Sequence, residues 1–202
     1  MVPGLTTTSL REGLKRIVQK IEACADELNA LDAALGDGDM GVTMVRGGRS
    51  VLVELPNLPE DVGLALMKCA QAFTKISAST LGTLLAIGLM SAAKATKGRR
   101  EIPWGEIPSL LAGATEAMSQ RGKGQLGDKT VLDALEAARA ATEGIEDPAA
   151  LVSHADAAIA AALERFRPRP SRQGRARIFG EKSIGKDDPG MVAFQRLIEG
   201  LR

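Results

Sequence analysis

The sequence predicts an all-α fold, an up-and-down antiparallel barrel or bundle of eight helices. Three observations carry this. Alanine and leucine dominate a chain that is 45% hydrophobic but only 2% aromatic, with no tyrosine. That palette suits packed helices, because sheets draw on β-branched and aromatic residues. Apolar residues recur at three- and four-residue spacing, and no strand pattern competes anywhere. The connections between periodic segments are short, which sets successive helices antiparallel. A chain of 202 residues can bury one good core, so a single domain over residues 1–202 is expected.

Ser9, with Glu12 three residues later, predicts a capping box for the first helix. Leu10, Leu14, Ile17, Val18, Ile21, Ala25, Leu28 and Leu31 then keep one apolar stripe that delivers Asp32 in the last turn. A second helix is expected from near Gly41 to Val53, ended by Pro56, and a third from Pro59, with Glu60 and Asp61 suiting the dipole of its first turn. The fourth starts at Ser77 or Ser79 and runs to Lys97, where Gly98 stops it. The fifth starts at about Ile107-Pro108 and ends before Gly122. The sixth opens at Asp128 or Thr130, the latter paired with Asp133, and closes at Gly144. The seventh runs from Pro148 to before Pro168, and Asp188-Pro189-Gly190 starts the last.

Composition removes several classes of function. A net charge of +1 argues against bulk electrostatic binding to nucleic acid or membrane. The most apolar stretch, Leu81 to Ala93, is about five residues short of a membrane span. Arg11, Glu12, Lys15 and Arg16 interrupt the first apolar run, so no secretory signal is expected. Cys24 and Cys69 lie in apolar helical stretches without CxxC spacing, which reads as two buried thiols in a reduced, cytoplasmic protein. His154 is the only histidine, so no Ser/His/Asp or Cys/His set can be built around it.

The chemistry concentrates in Leu31-Asp32-Ala33-Ala34-Leu35-Gly36-Asp37-Gly38-Asp39-Met40-Gly41, where three carboxylates crowd into eight residues. Like charges this close raise one another's pKa, and a bound cation is the cheapest way to keep all three ionised. An all-oxygen donor set selects a hard ion, Mg²⁺ or Ca²⁺. Gly36-x-Gly38-x-x-Gly41 matches a dinucleotide fingerprint, but helical spacing precedes it where a strand is required. An EF-hand loop from Asp37 would need an oxygen side chain near Gly41, glycine at Val42 and glutamate at Gly48, and fails at all three. What remains is a loop whose one or two Mg²⁺ ions hold phosphates, set against a plain solvated acidic turn.

Three further stretches have two readings each. Ser77-Ala78-Ser79-Thr80 places hydroxyls at a helix N-terminus, a natural phosphate seat or an ordinary cap. Gly127-Asp128-Lys129-Thr130 resembles a Walker A ending but is not a P-loop, since Asp128 separates glycine from lysine. The glycines at 122, 124 and 127 allow close approach to a planar ligand such as adenine, or simply join two helices. Arg165, Arg167, Arg169, Arg172, Arg175 and Arg177 have no aromatic platform between them. One arginine reaching a phosphate while the others stay solvated is favoured over a nucleic-acid patch.

Four separated motifs agree on one family. Leu31-Asp32 through Gly41, then Ser79, then Gly127-Asp128-Lys129-Thr130-Val131-Leu132-Asp133-Ala134-Leu135, and last Gly174-Arg175-Ala176 with Gly180-Glu181-Lys182-Ser183-Ile184-Gly185 and Asp188-Pro189-Gly190, resemble the nucleotide-binding L subunit of dihydroxyacetone kinases. The resemblance implies an eight-helix barrel with ADP or ATP at one end. It makes Asp32, Asp37 and Asp39 the ligands of two Mg²⁺ ions, and places Met40, Gly41, Val42, Thr43, Ser79 and Thr80 on the phosphate side. Gly122 and Val131 would line the adenine site, Arg175 would reach the phosphates, and Asp188, Pro189 and Gly190 would close over the nucleoside. Met40 stands where the family commonly has histidine, and Arg167-Pro168-Arg169-Pro170 should be held extended where the family is usually helical.

The implied activity is phosphoryl transfer to a keto-triose or keto-tetrose held by a separate K-type subunit, so no general base is expected in this chain. A bound ADP rephosphorylated by a phosphotransferase-system protein, a nucleotide sensor that binds a regulator, and a lipid-holding barrel are the alternatives. A homodimer stays open.

Overall fold

The computed structural model describes residues 4–75 and 79–202. Among them nine α-helices follow one another: α1 (Thr7–Ala23), α2 (Ala25–Leu35), α3 (Met40–Glu54), α4 (Val62–Thr74), α5 (Thr80–Thr96), α6 (Ile107–Gly122), α7 (Val131–Thr142), α8 (Pro148–Phe166) and α9 (Pro189–Glu199). The ninth arises because the expected first helix bends at Cys24, with φ −113° and ψ 15°. The Cys24 N–H still reaches the Lys20 carbonyl (3.1 Å) and Leu28 N–H the Cys24 carbonyl (3.1 Å), so the apolar stripe continues through the bend. The bend lies where Gly41 of α3 meets the Ala25 backbone, an approach that a Cβ would block. Counted as one stave, α1 and α2 restore the eight expected.

The staves close into a ring. Each packs on its successor from α3 to α9, α9 packs back on α1 and α2, and these pack on α3. The interior is aliphatic: Leu28, Met44, Cys69, Met118, Leu135, Ile159 and Met191 form one buried cluster with Phe73 and Phe166. Gly47 faces the Phe73 ring, and Gly63 lies against the backbone of Ala93 and Lys97, so neighbouring staves come close where a side chain is missing. No described helix is long and apolar enough to cross a membrane.

Capping sets the helix starts. Asp61, Ser79, Thr130, Asp147 and Asp188 each accept a backbone N–H from the first turn of their helix, and Thr130 with Asp133 forms the expected capping box. Two starts differ from expectation. The box of α1 pairs Thr6 with Ser9, not Ser9 with Glu12, and α4 begins after Asp61 instead of at Pro59. Ser77, the other candidate start of the fourth helix, lies outside the described residues. The chain also has a short strand pair the periodicity gave no sign of: β1 (Leu5–Thr6) and β2 (Glu101–Ile102) are antiparallel, with Ile102 fully buried. Two residues are too few to show alternation.

Because the staves alternate in direction, every second connection falls at the same end. Residues 36–39, Ser79 at the start of α5, residues 123–130 and residues 167–188 meet there, and they hold the sequence motifs.

Candidate functional site

A cavity of about 680 Å³ opens at that end. One side is acidic. Asp32, buried in the last turn of α2, takes the N–H groups of Gly38 (2.9 Å) and Asp39 (3.1 Å) on its Oδ2, so the loop wraps around its carboxylate. Gly38 makes this turn with φ +78°, a conformation glycine adopts at no steric cost. The wrap brings carboxylate oxygens of Asp32, Asp37 and Asp39 within 4.8 Å of one another. Burial pushes the Asp32 carboxyl up from the ordinary range, with the Asp37 charge adding to it against the pull of the N–H bonds. Arg175 pairs with Asp37, and this bond holds Asp37 below the usual carboxylate range.

The donor set suits a hard divalent ion. It offers three anionic oxygen ligands and no nitrogen or sulfur, on a loop fixed by its own backbone. A charge of +2 or more among them would favour the ionised form that burial disfavours at Asp32.

The other side of the cavity is apolar and glycine-lined, built by Leu81, Leu84, Met118, Gly122, Gly124 and Val131. Ser79 and Thr80 stand between the two sides, and Asp188, Pro189 and Gly190 complete the wall. Asp188 is buried and caps α9 by accepting the Met191 N–H (2.9 Å), and burial raises its carboxyl to about 7.

Of the residues picked from sequence, Asp32, Asp37, Asp39, Met40, Thr43, Ser79, Thr80, Gly122, Val131, Arg175, Asp188, Pro189 and Gly190 all line this cavity. Gly41 and Val42 do not. Gly41 is buried against α2, Val42 is exposed, and both N–H groups donate to Asn29 Oδ1 (2.8 and 3.2 Å). Arg46, Gln173 and Arg177 line it as well, although sequence reasoning did not single them out for it. Arg46 follows Met40 and Thr43 at three-residue steps on one face of α3, which was the available signal.

The arginine run is not simply solvated. Arg167 forms ion pairs with Asp187 (2.8 Å) and Glu164 (2.7 Å), while Arg165 and Arg169 stack on Phe166. The segment Arg167-Pro168-Arg169-Pro170 leaves α8 through a turn before becoming irregular, where an extended run was expected. The Arg169 N–H donates to the Phe166 carbonyl (2.9 Å) and closes that turn.

The chain, a closed helical ring with an acidic, arginine-backed cavity at one end, belongs to the DAK2 domain family, which matches residues 34–202. The match begins just after Asp32. The chain is 29% identical over 204 residues to the ADP-binding subunit DhaL of the PEP-dependent dihydroxyacetone kinase of Escherichia coli, covering 98% of this chain and 97% of that one. It is 30% identical over 182 residues to the corresponding subunit of the second such kinase of Listeria innocua, covering 84% and 82%. The L-erythrulose 1-kinase of Mycolicibacterium smegmatis is 34% identical over 206 residues, but the chain spans only 36% of it. The crystal structure of the dihydroxyacetone kinase from C. freundii with AMP-PNP and Mg²⁺ has the same fold, with a TM-score of 0.77 at 22% identity, over all of this chain and 34% of that one.

Proposed function

We propose that this chain is the ADP- or ATP-Mg-binding subunit of a dihydroxyacetone-type kinase, a phosphotransferase that acts on a keto-triose or keto-tetrose held by a separate K-type subunit. One observation carries the reading. Asp32, Asp37, Asp39 and Arg175 converge at one side of a cavity whose other side, from Leu81 to Val131, is apolar and large enough for a nucleoside. The E. coli relative, matched over nearly its whole length, is described as an ADP-binding kinase subunit.

The assignments follow the chemistry of each wall. Asp32, Asp37 and Asp39 would hold two Mg²⁺ ions, which supply charge neutralisation at the phosphates when bound. Thr43, Ser79 and Thr80 would orient the phosphate groups, Gly122 and Val131 would bound the base, and Asp188 to Gly190 would close over the sugar. Arg175 exchanges Asp37 for a phosphate oxygen and stabilises charge on the transferring group. The E. coli and Listeria innocua relatives, each matched over most of its length, are subunits of PEP-dependent kinases. This favours a retained ADP, rephosphorylated by a phosphotransferase-system protein, over freely exchanging ATP.

The test is calorimetric titration of ADP with and without EDTA. At ~6 Å and an effective dielectric near 20, each carboxylate–phosphate pair repels by roughly 3 kcal/mol, so three aspartates exclude a diphosphate unless cations intervene. Affinity should collapse in EDTA, and Asp37→Asn should lower it at sub-saturating Mg²⁺. Tight metal-free binding would refute the assignment of this wall.

A further inference from the structure

Lys129 is one of the most deeply buried side chains in the protein, 1% exposed, although it comes from a glycine-rich connection. Its backbone is left-handed, with φ +63°, and its side chain turns away from the cavity. The Nζ donates to the carbonyls of Arg169 (2.9 Å), Ser183 (3.0 Å) and Arg167 (3.3 Å). An ammonium has three N–H donors and no acceptor, so three carbonyls satisfy it.

Those carbonyls belong to the two roots of one connection. Arg167 and Arg169 lie where the chain leaves α8, and Ser183 where it returns toward α9; Arg175 sits on the span between. Other bonds run along the same seam. Arg172 N–H donates to the Asp128 carbonyl (3.0 Å), Gly185 N–H to the Arg167 carbonyl (2.8 Å), Ser171 N–H to Ser183 Oγ (2.8 Å), and Gln173 Nε2 to the Gly122 carbonyl (2.9 Å). The span itself touches α2 and buries Ala176. Arg175 is exposed, and its only ion pair among the described residues is with Asp37.

We propose that Lys129 is a positioning residue: its ammonium staples both roots of the 167–188 connection to the 123–130 connection and so fixes Arg175 over the acidic wall. The two loops that build opposite sides of the cavity are thereby one mechanical unit. A neutral side chain of similar length takes the charged donor from all three carbonyls; the Arg167 carbonyl keeps the Gly185 N–H (2.8 Å) and that of Ser183 the Lys186 N–H (3.3 Å), but the link to the 123–130 connection is lost, which loosens the span. The consequence for phosphoryl transfer rests on the role proposed for Arg175; the staple itself does not.

Lys129→Met tests it in two measurements. In the apo protein, residue-resolved hydrogen exchange should show protection at Ser171, Arg172 and Gly185 falling at least tenfold, with amides of α4 changing less than threefold. With the cognate partner, Lys129→Met should lower the transfer rate at least 30-fold in the presence of Arg175 but less than threefold in an Arg175→Ala background. Unchanged protection at the three amides, or an equal rate loss in both backgrounds, overturns the proposal. If the wild-type chain transfers no phosphoryl group, the kinase reading fails while the exchange result still decides the staple. If Lys129→Met does not fold, hydrogen exchange of the wild-type apo protein in sub-denaturing urea decides: Arg172 and Gly185 should share one opening free energy with Asp128, because the ammonium joins the two connections, and separate opening of the two connections counts against the staple.

Discussion

Asp188 provides the clearest quantitative expectation, because its carboxyl is held at about 7 by burial. Its ordinary value is about 3.9, so the folded state raises it by roughly 3 units, equivalent to about 4 kcal/mol at ~1.4 kcal/mol per unit. The sign follows from proton counting. Between the two values the folded chain holds a proton that the unfolded chain has released, so stability falls as pH rises through about 4 to 7 and the cost is complete above that window. Nearby Lys129 eases the charge and Asp133 opposes it. Asp188→Asn removes the titration and keeps an oxygen for the Met191 N–H, with equal capping strength. In denaturant melts of the apo protein in EDTA, the variant should match wild type near pH 4 and exceed it by up to about 4 kcal/mol at pH 8. Comparing the two chains cancels the titrating groups that do not face Asp188. A difference that stays flat from pH 4.5 to 8, or a wild type that gains on the variant as pH rises, would show that Asp188 is not buried in this way.

Other consequences are as direct. Arg175→Ala should cut transfer at least 10²-fold with the cognate partner while leaving the apo melting temperature nearly unchanged, since an arginine at a transferring phosphoryl group contributes about 10³-fold or more. Arg169→Ala removes only an exposed stack on Phe166, with its guanidinium 5.1 Å from the ring centre, and should leave transfer unaffected. Gly41→Ala sets a methyl group against the Ala25 backbone and should cost about 2–3 kcal/mol in denaturant melts as α2 and α3 separate. The isolated chain with ATP should not phosphorylate dihydroxyacetone or erythrulose; robust turnover would place the sugar site here instead of on a partner.

The helices and the acidic wall were legible because both are local. Apolar spacing and capping residues such as Ser79, Thr130 and Asp188 mark helix ends within a few residues, and Asp32, Asp37 and Asp39 are close in the chain before they are close in space. What escaped is set by distant partners. The bend at Cys24 answers to Gly41 packing on Ala25. The β1–β2 pair joins residues nearly a hundred positions apart. Lys129 stands in the sequence only as part of a Walker-like ending that is not a P-loop; the carbonyls of Arg167, Arg169 and Ser183 that surround it come from distant positions. In the arginine run the resemblance already set Arg175 apart, but the ion pairs of Arg167 and the stack of Arg169 on Phe166 appear only in the folded 167–188 connection.

The alternation of stave direction separates two sets of constraints that most enzymes have to satisfy with the same residues. The far-end connections, residues 55–61, 97–106 and 143–147, contain none of the cavity-lining residues. Gly144, at φ +74°, has open space where a side chain would project. Chain inserted there, a reporter domain or a surface anchor, would hang from the far end of the barrel and leave the cavity end uncovered.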